Sequence, residues 1–338
     1  MKKFALALTL SLVLTSCSSP VLNESSESDE SSRSSVTDEE EYVVRVGYGS
    51  SLCHAPLHAA MEKGFFEAEG LKYEAIKLDT AVMADAAASG QIDTGYGLVG
   101  KFIQPLENGL PIQLTAGIHT GCIKLVAAQD SPINDLTDLR GKRIGVGALA
   151  DSPALIAKRA LANVGVGITP DNLEVEFLVF PNADLPTALE NGAIDAFAAP
   201  DPLVSVAIEE YGLKTLVDTA EDAPFKDEYC CFSFVTNDFA QKRPDLAAKY
   251  TAALIKAAEW VGENPEEAAE LQVEKEYVSG EAAFNATLLS AYSFKASAKN
   301  GRDALASVVY ALDEIGALNQ NSDKEALIEN SFTVFGDI

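Results

Sequence analysis

Basic residues are scarce in this chain: 25 Lys and Arg stand against 51 Asp and Glu, a formal net charge of −26 over 338 residues. A surface of that sign repels phosphate backbones and anionic headgroups, which excludes a nucleic-acid-binding role. Histidine and cysteine are scarcer still, at 3 and 5. Neither H-E-x-x-H nor G-x-S-x-G occurs, so the helix-borne zinc protease and the nucleophile-elbow hydrolase are both excluded. G-Y-G-L-V-G-K (Gly95 to Lys101) nearly spells a Walker phosphate loop, but Phe102 stands where Ser or Thr must hold magnesium. G-V-G (Gly145 to Gly147) lacks the third glycine of a dinucleotide fingerprint. Beyond the N-terminus no apolar run approaches membrane-spanning length.

What is present begins with an address. Met1 to Lys3 supply charge, Phe4 to Leu14 form a short apolar run, and Thr15 and Ser16 precede Cys17, the pattern of a signal peptide over residues 1–16. The segment L-T-S-C (Leu14 to Cys17) resembles the lipobox of bacterial lipoproteins, which implies lipidation at Cys17. From Ser18 to Glu41 the chain is nearly all Ser, Glu and Asp and cannot bury enough apolar surface to offset chain entropy, so 17–41 is expected to be a disordered acidic linker. The expected location is the outer face of a cell membrane, lipid-anchored and extracytoplasmic.

From Tyr42 the pattern alternates between strand and helix. Tyr42 to Gly47 reads as a strand, Ala55 to Lys63 as a helix stopped near Gly64, Leu71 to Leu78 as a strand, Ala81 to Ala88 as a helix, Thr94 to Tyr96 as a strand and Leu98 to Asn108 as a helix. Two extended runs, Ile112 to Ile118 and Cys122 to Ala128, leave this lobe. The rhythm then restarts with Arg143 to Val146, Ser152 to Asn163, Leu173 to Val179, Asp184 to Glu190, Ile194 to Ala198, a helix after Pro202 and Leu213 to Val217. Cys231 to Val235 reads as a strand, and the remainder is helical, including an Ala-rich stretch from Pro244 to Val261. Such alternation predicts α/β lobes with parallel sheets and ligand loops at the strand carboxyl ends, with a helical tail that braces the first lobe.

The segments A-P-L-H-A-A-M-E-K-G-F-F-E-A-E-G-L (Ala55 to Leu71), A-S-G-Q-I-D (Ala88 to Asp93), D-L-R-G-K-R-I-G-V (Asp138 to Val146) and A-L-E-N-G-A-I-D-A (Ala188 to Ala196) resemble the solute-binding proteins of nitrate, sulfonate and taurine ABC importers, a family that includes binders of thiamine pyrimidine precursors. The resemblance runs collinearly from Tyr42 to about Ala268. It implies a type II periplasmic-binding-protein fold of two lobes, 42–125 with 232–338 and 126–231, joined by a hinge around a ligand cleft. It also implies a monomer that captures a small polar solute and passes it to an ABC permease, with no chemistry and no cofactor of its own. The family's ligand contacts carry over to Ser50, Ser51, Cys53 and His54, to Thr80 and Ala81, to Gly97 and Leu98, and in the second lobe to Asp151, Ser152 and the stretch Ala199 to Pro202 with Asp201; His119, Thr120, Cys122 and Cys231 are further candidate solute contacts at the lobe junction.

Two features depart from that pattern. Asp151 and Asp201 would place two carboxylates at one rim, where they would repel a plain anion. The four cysteines of the body, Cys53, Cys122, Cys230 and Cys231, all fall at cleft or hinge positions, with His54 beside Cys53 and His119 and Thr120 just before Cys122. Cys53, His54, His119, Cys122, Cys230 and Cys231 are the alternative ligand set for a transition metal; disulfides or plain core packing are the simpler reading of the same thiols. Y-C-C-F-S (Tyr229 to Ser233) weakly resembles the C-C-C-F-C iron motif of fungal thiamine-pyrimidine synthases, which supplies an enzyme alternative. His58, four residues after His54, shares its helix face, and a surface position is the expectation for it.

Overall fold

The structure is a computed structural model that describes residues 42–336. The expected signal peptide, Cys17 and the linker lie outside the described residues. In chain order the strands are β1 (Val44–Tyr48), β2 (Tyr73–Lys77), β3 (Thr94–Leu98), β4 (Ile112–His119), β5 (Ile123–Ala128), β6 (Arg143–Val146), β7 (Ile168–Thr169), β8 (Asn172–Leu173), β9 (Glu176–Val179), β10 (Ala196–Pro200), β11 (Leu213–Asp218) and β12 (Cys231–Thr236). They make two five-stranded sheets, β2-β1-β3-β12-β4 and β11-β5-β10-β6-β9, and a small β7-β8 hairpin.

The sheets are mixed rather than parallel. β1 runs parallel to β2 and β3, and β6 runs parallel to β9 and β10. β12 is antiparallel to both β3 and β4, and β5 is antiparallel to both β10 and β11. The physical reason is that β5 and β12 are the strands by which the chain enters one lobe from the other, so they arrive without a βαβ crossover to set their direction. Each lies between two neighbours and is buried on both faces, which is why I-K-L-V-A-A and C-F-S-F-V-T read as continuous rather than alternating runs. By sheet membership the chain leaves the first lobe at Thr120–Cys122, just before β5, and not at 125.

The two lobes repeat one local device. In R-V-G…G-Q-I-D the Asp93 carboxylate accepts the Arg45 backbone N–H at 2.9 Å and its Nε–H at 3.1 Å; in R-I-G…G-A-I-D the Asp195 carboxylate accepts the same two groups of Arg143 at 2.9 and 3.0 Å. A Cβ on Gly47 would meet Ile92 Cδ1 at 2.7 Å, and one on Gly145 would meet Ile194 Cδ1 at 2.5 Å. The glycine therefore admits the isoleucine that precedes the aspartate, and the aspartate clamps the start of the strand that carries the glycine. This is the packing logic behind the repeated sequence pattern.

After β12 the chain is helical. The Ala-rich helix Pro244–Glu263 lays Ala247, Tyr250, Leu254, Ala257, Ala258 and Val261 against the core and packs on the helix Ala55–Glu62. Small side chains permit that close approach, and each larger one buried contributes about 1.5–3 kcal/mol. The helix Ala298–Glu314 packs across β4 and also touches the helix Ser152–Asn163 of the second lobe. The tail therefore packs on the first lobe as expected, and it also touches the second.

Candidate functional site between the lobes

A small cavity lies between the lobes. The first lobe contributes Ser51, Cys53 and His54 from the turn before Ala55–Glu62, Thr80 and Met83 after β2, and Tyr96, Gly97, Leu98, Lys101 and Phe102 from β3 and the helix that follows. The second lobe contributes Asp151 and Pro153 at the start of Ser152–Asn163, with Asn182 and Pro200. Ser152 is buried at the lobe contact, where its Oγ accepts the Gly100 N–H at 2.9 Å. Ser50 faces a wider open groove between the helix Leu203–Tyr211 and the segment 273–285. Ala81 is exposed and does not line the cavity.

Charge in this region is not distributed as the sequence suggested. Asp201 is buried and accepts from Lys124 Nζ at 3.3 Å, Tyr292 Oη at 2.8 Å and Ser205 Oγ at 2.5 Å. Lys124 also pairs with Asp218 at 3.1 Å. Against its burial, the carboxylates of Asp201 and Asp218 hold the Lys124 ammonium above its ordinary range. Asp201 is thus neutralised within the fold and does not repel an anion from the rim. Asp151 is the N-cap of its helix, accepting from Ala154 N–H at 3.1 Å, and burial pushes its carboxyl up. Among the described residues Lys101 forms no ion pair; its Nζ donates to Thr80 Oγ1 at 3.3 Å.

The histidines are all interior. His54 Nδ1 accepts the Gly49 N–H at 3.2 Å, and burial lowers its pKa to about 4. His58 corrects the expectation of a surface position: it is fully buried, stacked on Tyr277 with ring centroids 3.9 Å apart. Its Nε2–H donates to Gly49 O at 3.0 Å, and its Nδ1 accepts from Gln272 Nε2 at 2.8 Å. Both ring nitrogens are used, which fixes one neutral tautomer, and burial holds the pKa well below its ordinary value.

Below the cavity floor the ligand atoms of Cys53, His119, Cys122 and Cys231 lie within 4.8 Å of one another. Cys53 belongs to the single-turn helix Leu52–His54, His119 ends β4, Cys122 follows the turn out of the first sheet, and Cys231 opens β12. Cys230 Sγ sits 3.2 Å from Cys122 Sγ and 3.4 Å from His119 Nδ1. The four thiols are free. Burial works against both ionised forms, yet the thiols of Cys230 and Cys231 lift the His119 imidazole well above its ordinary value. Hydrogen bonds from Cys122, Cys230 and Cys53 likewise hold the Cys231 thiol well below its own. Thr120 is buried beside this cluster, and His54 is not one of its four ligand groups.

Residues 52–268 match the family model described as NMT1/THI5 like. The chain belongs to the NMT1/THI5-like family. Its α/β architecture is the two-lobed type II periplasmic-binding-protein fold: it superposes on the periplasmic aliphatic sulphonate binding protein SsuA from Escherichia coli with a TM-score of 0.70 at 19% identity, covering 88% of this chain and 93% of that one. In sequence it is 26% identical over 238 residues to a Bacillus subtilis (strain 168) protein named for binding aliphatic sulfonates, spanning 68% of each chain. It is also 26% identical over 245 residues to the 4-amino-5-hydroxymethyl-2-methylpyrimidine phosphate synthase of Aspergillus parasiticus, spanning 67% of this chain and 68% of that one.

In this NMT1/THI5-like chain the cavity residues that sequence reasoning passed over are Tyr96, Lys101, Phe102 and Asn182, with Met83 and Pro153, whereas Pro200 belongs to the expected stretch Ala199 to Pro202. Lys101 was in view as the last residue of G-Y-G-L-V-G-K. Measured against a nucleotide loop it failed, and the cation itself went unassigned. Its signal was its place at the start of the helix Gly100–Glu107, directly after β3, on the ligand side of the sheet.

Proposed function

We propose that this protein is the solute-binding component of an ABC importer and that its solute is a small organic anion of the sulfonate type. One observation carries this reading: Lys101, which forms no ion pair among the described residues and feels only the longer-range charge of Asp151, lines the interlobe cavity beside the hydroxyls of Thr80 and Ser51. An anionic head group would take that ammonium and those donors, and an apolar body would rest on Met83, Tyr96 and Phe102. Asn182 and Asp151 close the site from the second lobe, and Asp151 favours a solute that also carries a donor or an ammonium, as an aminoalkane sulfonate does. The relative named for aliphatic sulfonates supports the same class.

Calorimetry with a series of alkane and aminoalkane sulfonates tests the reading. Lys101→Met is expected to weaken binding by about 10–100-fold, since a hydrogen bond to a charged group is worth about 1.5–3 kcal/mol. Unchanged affinity would remove Lys101 from the site. Turnover of a pyridoxal or pyrimidine compound by the purified protein would instead favour the synthase relatives and overturn the transport role.

Cys17 is proposed as the lipid attachment point, with 18–41 as the spacer to the outer membrane face. Labelled fatty acid should be incorporated by the parent, and Cys17→Ser should abolish incorporation and release the protein. Equal labelling of both would overturn the anchor.

A further inference from the structure

We propose that Cys53, His119, Cys122 and Cys231 form a tetrahedral Zn(II) site in the hinge, beneath the solute cavity. The inference is independent of the solute reading, because it rests on a separate cluster that shares only Cys53 with the cavity wall.

The spacing fits the ion. Ligands bound at 2.0–2.3 Å around one tetrahedral centre lie roughly 3.4–3.8 Å from each other, and these four ligand atoms already lie within 4.8 Å of one another. Closing that difference needs only side-chain rotation and small shifts. Three thiols and one imidazole from the protein complete the coordination, so the site is of the closed, structural kind rather than the open, catalytic kind.

The backbone is arranged to bring them there. Gly121 and Cys122 both have φ of 83°, and Cys122 is one of two non-glycine residues among those described with a left-handed backbone. A Cβ at Gly121 would meet Tyr292 at 2.9 Å. That left-handed pair turns the chain back on itself so that Cys122 faces the same point as His119, in a conformation that a side-chain-bearing residue adopts only at a cost. Across the sheet, the β12–β4 register shifts between Cys231 and Phe232, where Cys231 opposes His119. An irregularity at that position re-aims a side chain that a regular strand would direct elsewhere.

Outer contacts complete the site. His119 Nδ1 lies 3.0 Å from Thr120 O, so Nδ1–H donates there and Nε2 remains as the metal ligand. Ser51 Oγ lies 3.1 Å from Cys53 Sγ and can donate to its thiolate. Tyr292 stacks on the His119 ring at 5.5 Å and fixes its plane. Plain core packing of three cysteines needs none of these devices: neither the strained turn, nor the displaced register, nor a histidine at the centre.

The test uses the full chain, reduced and stripped with chelator. Zn(II) is expected to bind at one ion per chain and raise the thermal midpoint, and Co(II) in its place should give the intense d–d and thiolate charge-transfer bands of a tetrahedral sulfur-rich site. Cys122→Ser and Cys231→Ser should each weaken uptake at least a hundredfold, while Cys230→Ser retains it. If the serine variants fail to fold, alkylation of the parent decides: Zn(II) should protect Cys53, Cys122 and Cys231 and leave Cys230 reactive. Absence of stoichiometric uptake, an octahedral cobalt spectrum, equal reactivity of all four thiols, or a Cys122–Cys230 disulfide in the native protein would each overturn the site.

Discussion

Single residues set the response of this protein to acid. His54 is held to about 4 and His58 well below its ordinary value, in both cases chiefly by burial. In the unfolded chain both titrate near the unperturbed value of about 6.5. Between those values the unfolded state binds more protons than the folded one, so stability rises with pH across the window. The contribution of the neutral imidazoles is complete above about 6.5 and is lost as pH falls toward 4. For His54 alone the span corresponds to about 3 kcal/mol. His54→Asn, whose side-chain oxygen can accept the Gly49 N–H in place of Nδ1, should reduce the loss in urea midpoint between pH 7 and pH 5. His58 should supply what remains. An unaltered pH slope in the variant would show that the titration lies elsewhere.

At the level of elements, the twin clamps make a comparison possible within one molecule. The Asp93 side chain is 5% exposed and that of Asp195 27%. Removing a hydrogen-bonded carboxylate costs more where water cannot replace it, so Asp93→Ala should destabilise by about 2–3 kcal/mol and Asp195→Ala by about 1. Urea unfolding of the two variants checks the order, and equal losses would mean that exposure does not decide it. The strand and helix periodicity that frames these clamps was legible in sequence because it is local, whereas the clamps themselves join residues 48 and 52 positions apart and were not. Helix Ser152–Asn163 and strand β6 fall where periodicity placed them. The insertion of β12 between β3 and β4 was not legible, since it pairs segments far apart in the chain and no local pattern encodes direction. The burial of His58 was hidden for the same reason: spacing assigns a helix face, but the helix Pro265–Glu274, which brings Gln272 onto it, comes from the other end of the sequence. The scarcity of cysteine made Cys53, Cys122 and Cys231 visible as a group, whereas Lys101 looked like any other lysine.

For the whole molecule the lobe contact is the controlling surface. Gly100 approaches Ser152 so closely that an added Cβ would lie 2.6 Å from its Oγ and 2.9 Å from its Cα. The second of those is backbone and cannot rotate away. Gly100→Ala favours the helix it begins, yet it should hold the lobes apart. The expected result is normal thermal stability, a larger radius of gyration by small-angle scattering in saturating solute, and affinity reduced more than tenfold. A variant that closes and binds like the parent would show that this contact does not limit closure. The bidentate pair of Arg159 with Glu228, both oxygens at 2.7 Å, ties the second-lobe helix to the segment leading into β12 and remains intact in that variant.

The position of β12 bears on how the protein is made. β3 and β4 are separated in the sheet by a strand that follows the whole second lobe in sequence, so the first sheet cannot close until Cys231–Thr236 has been synthesised. The second sheet, β5 through β11, is contiguous and can form first. During synthesis the first sheet therefore stays incomplete until β12 emerges, and the last strand to arrive is the one that carries Cys231 to its partners.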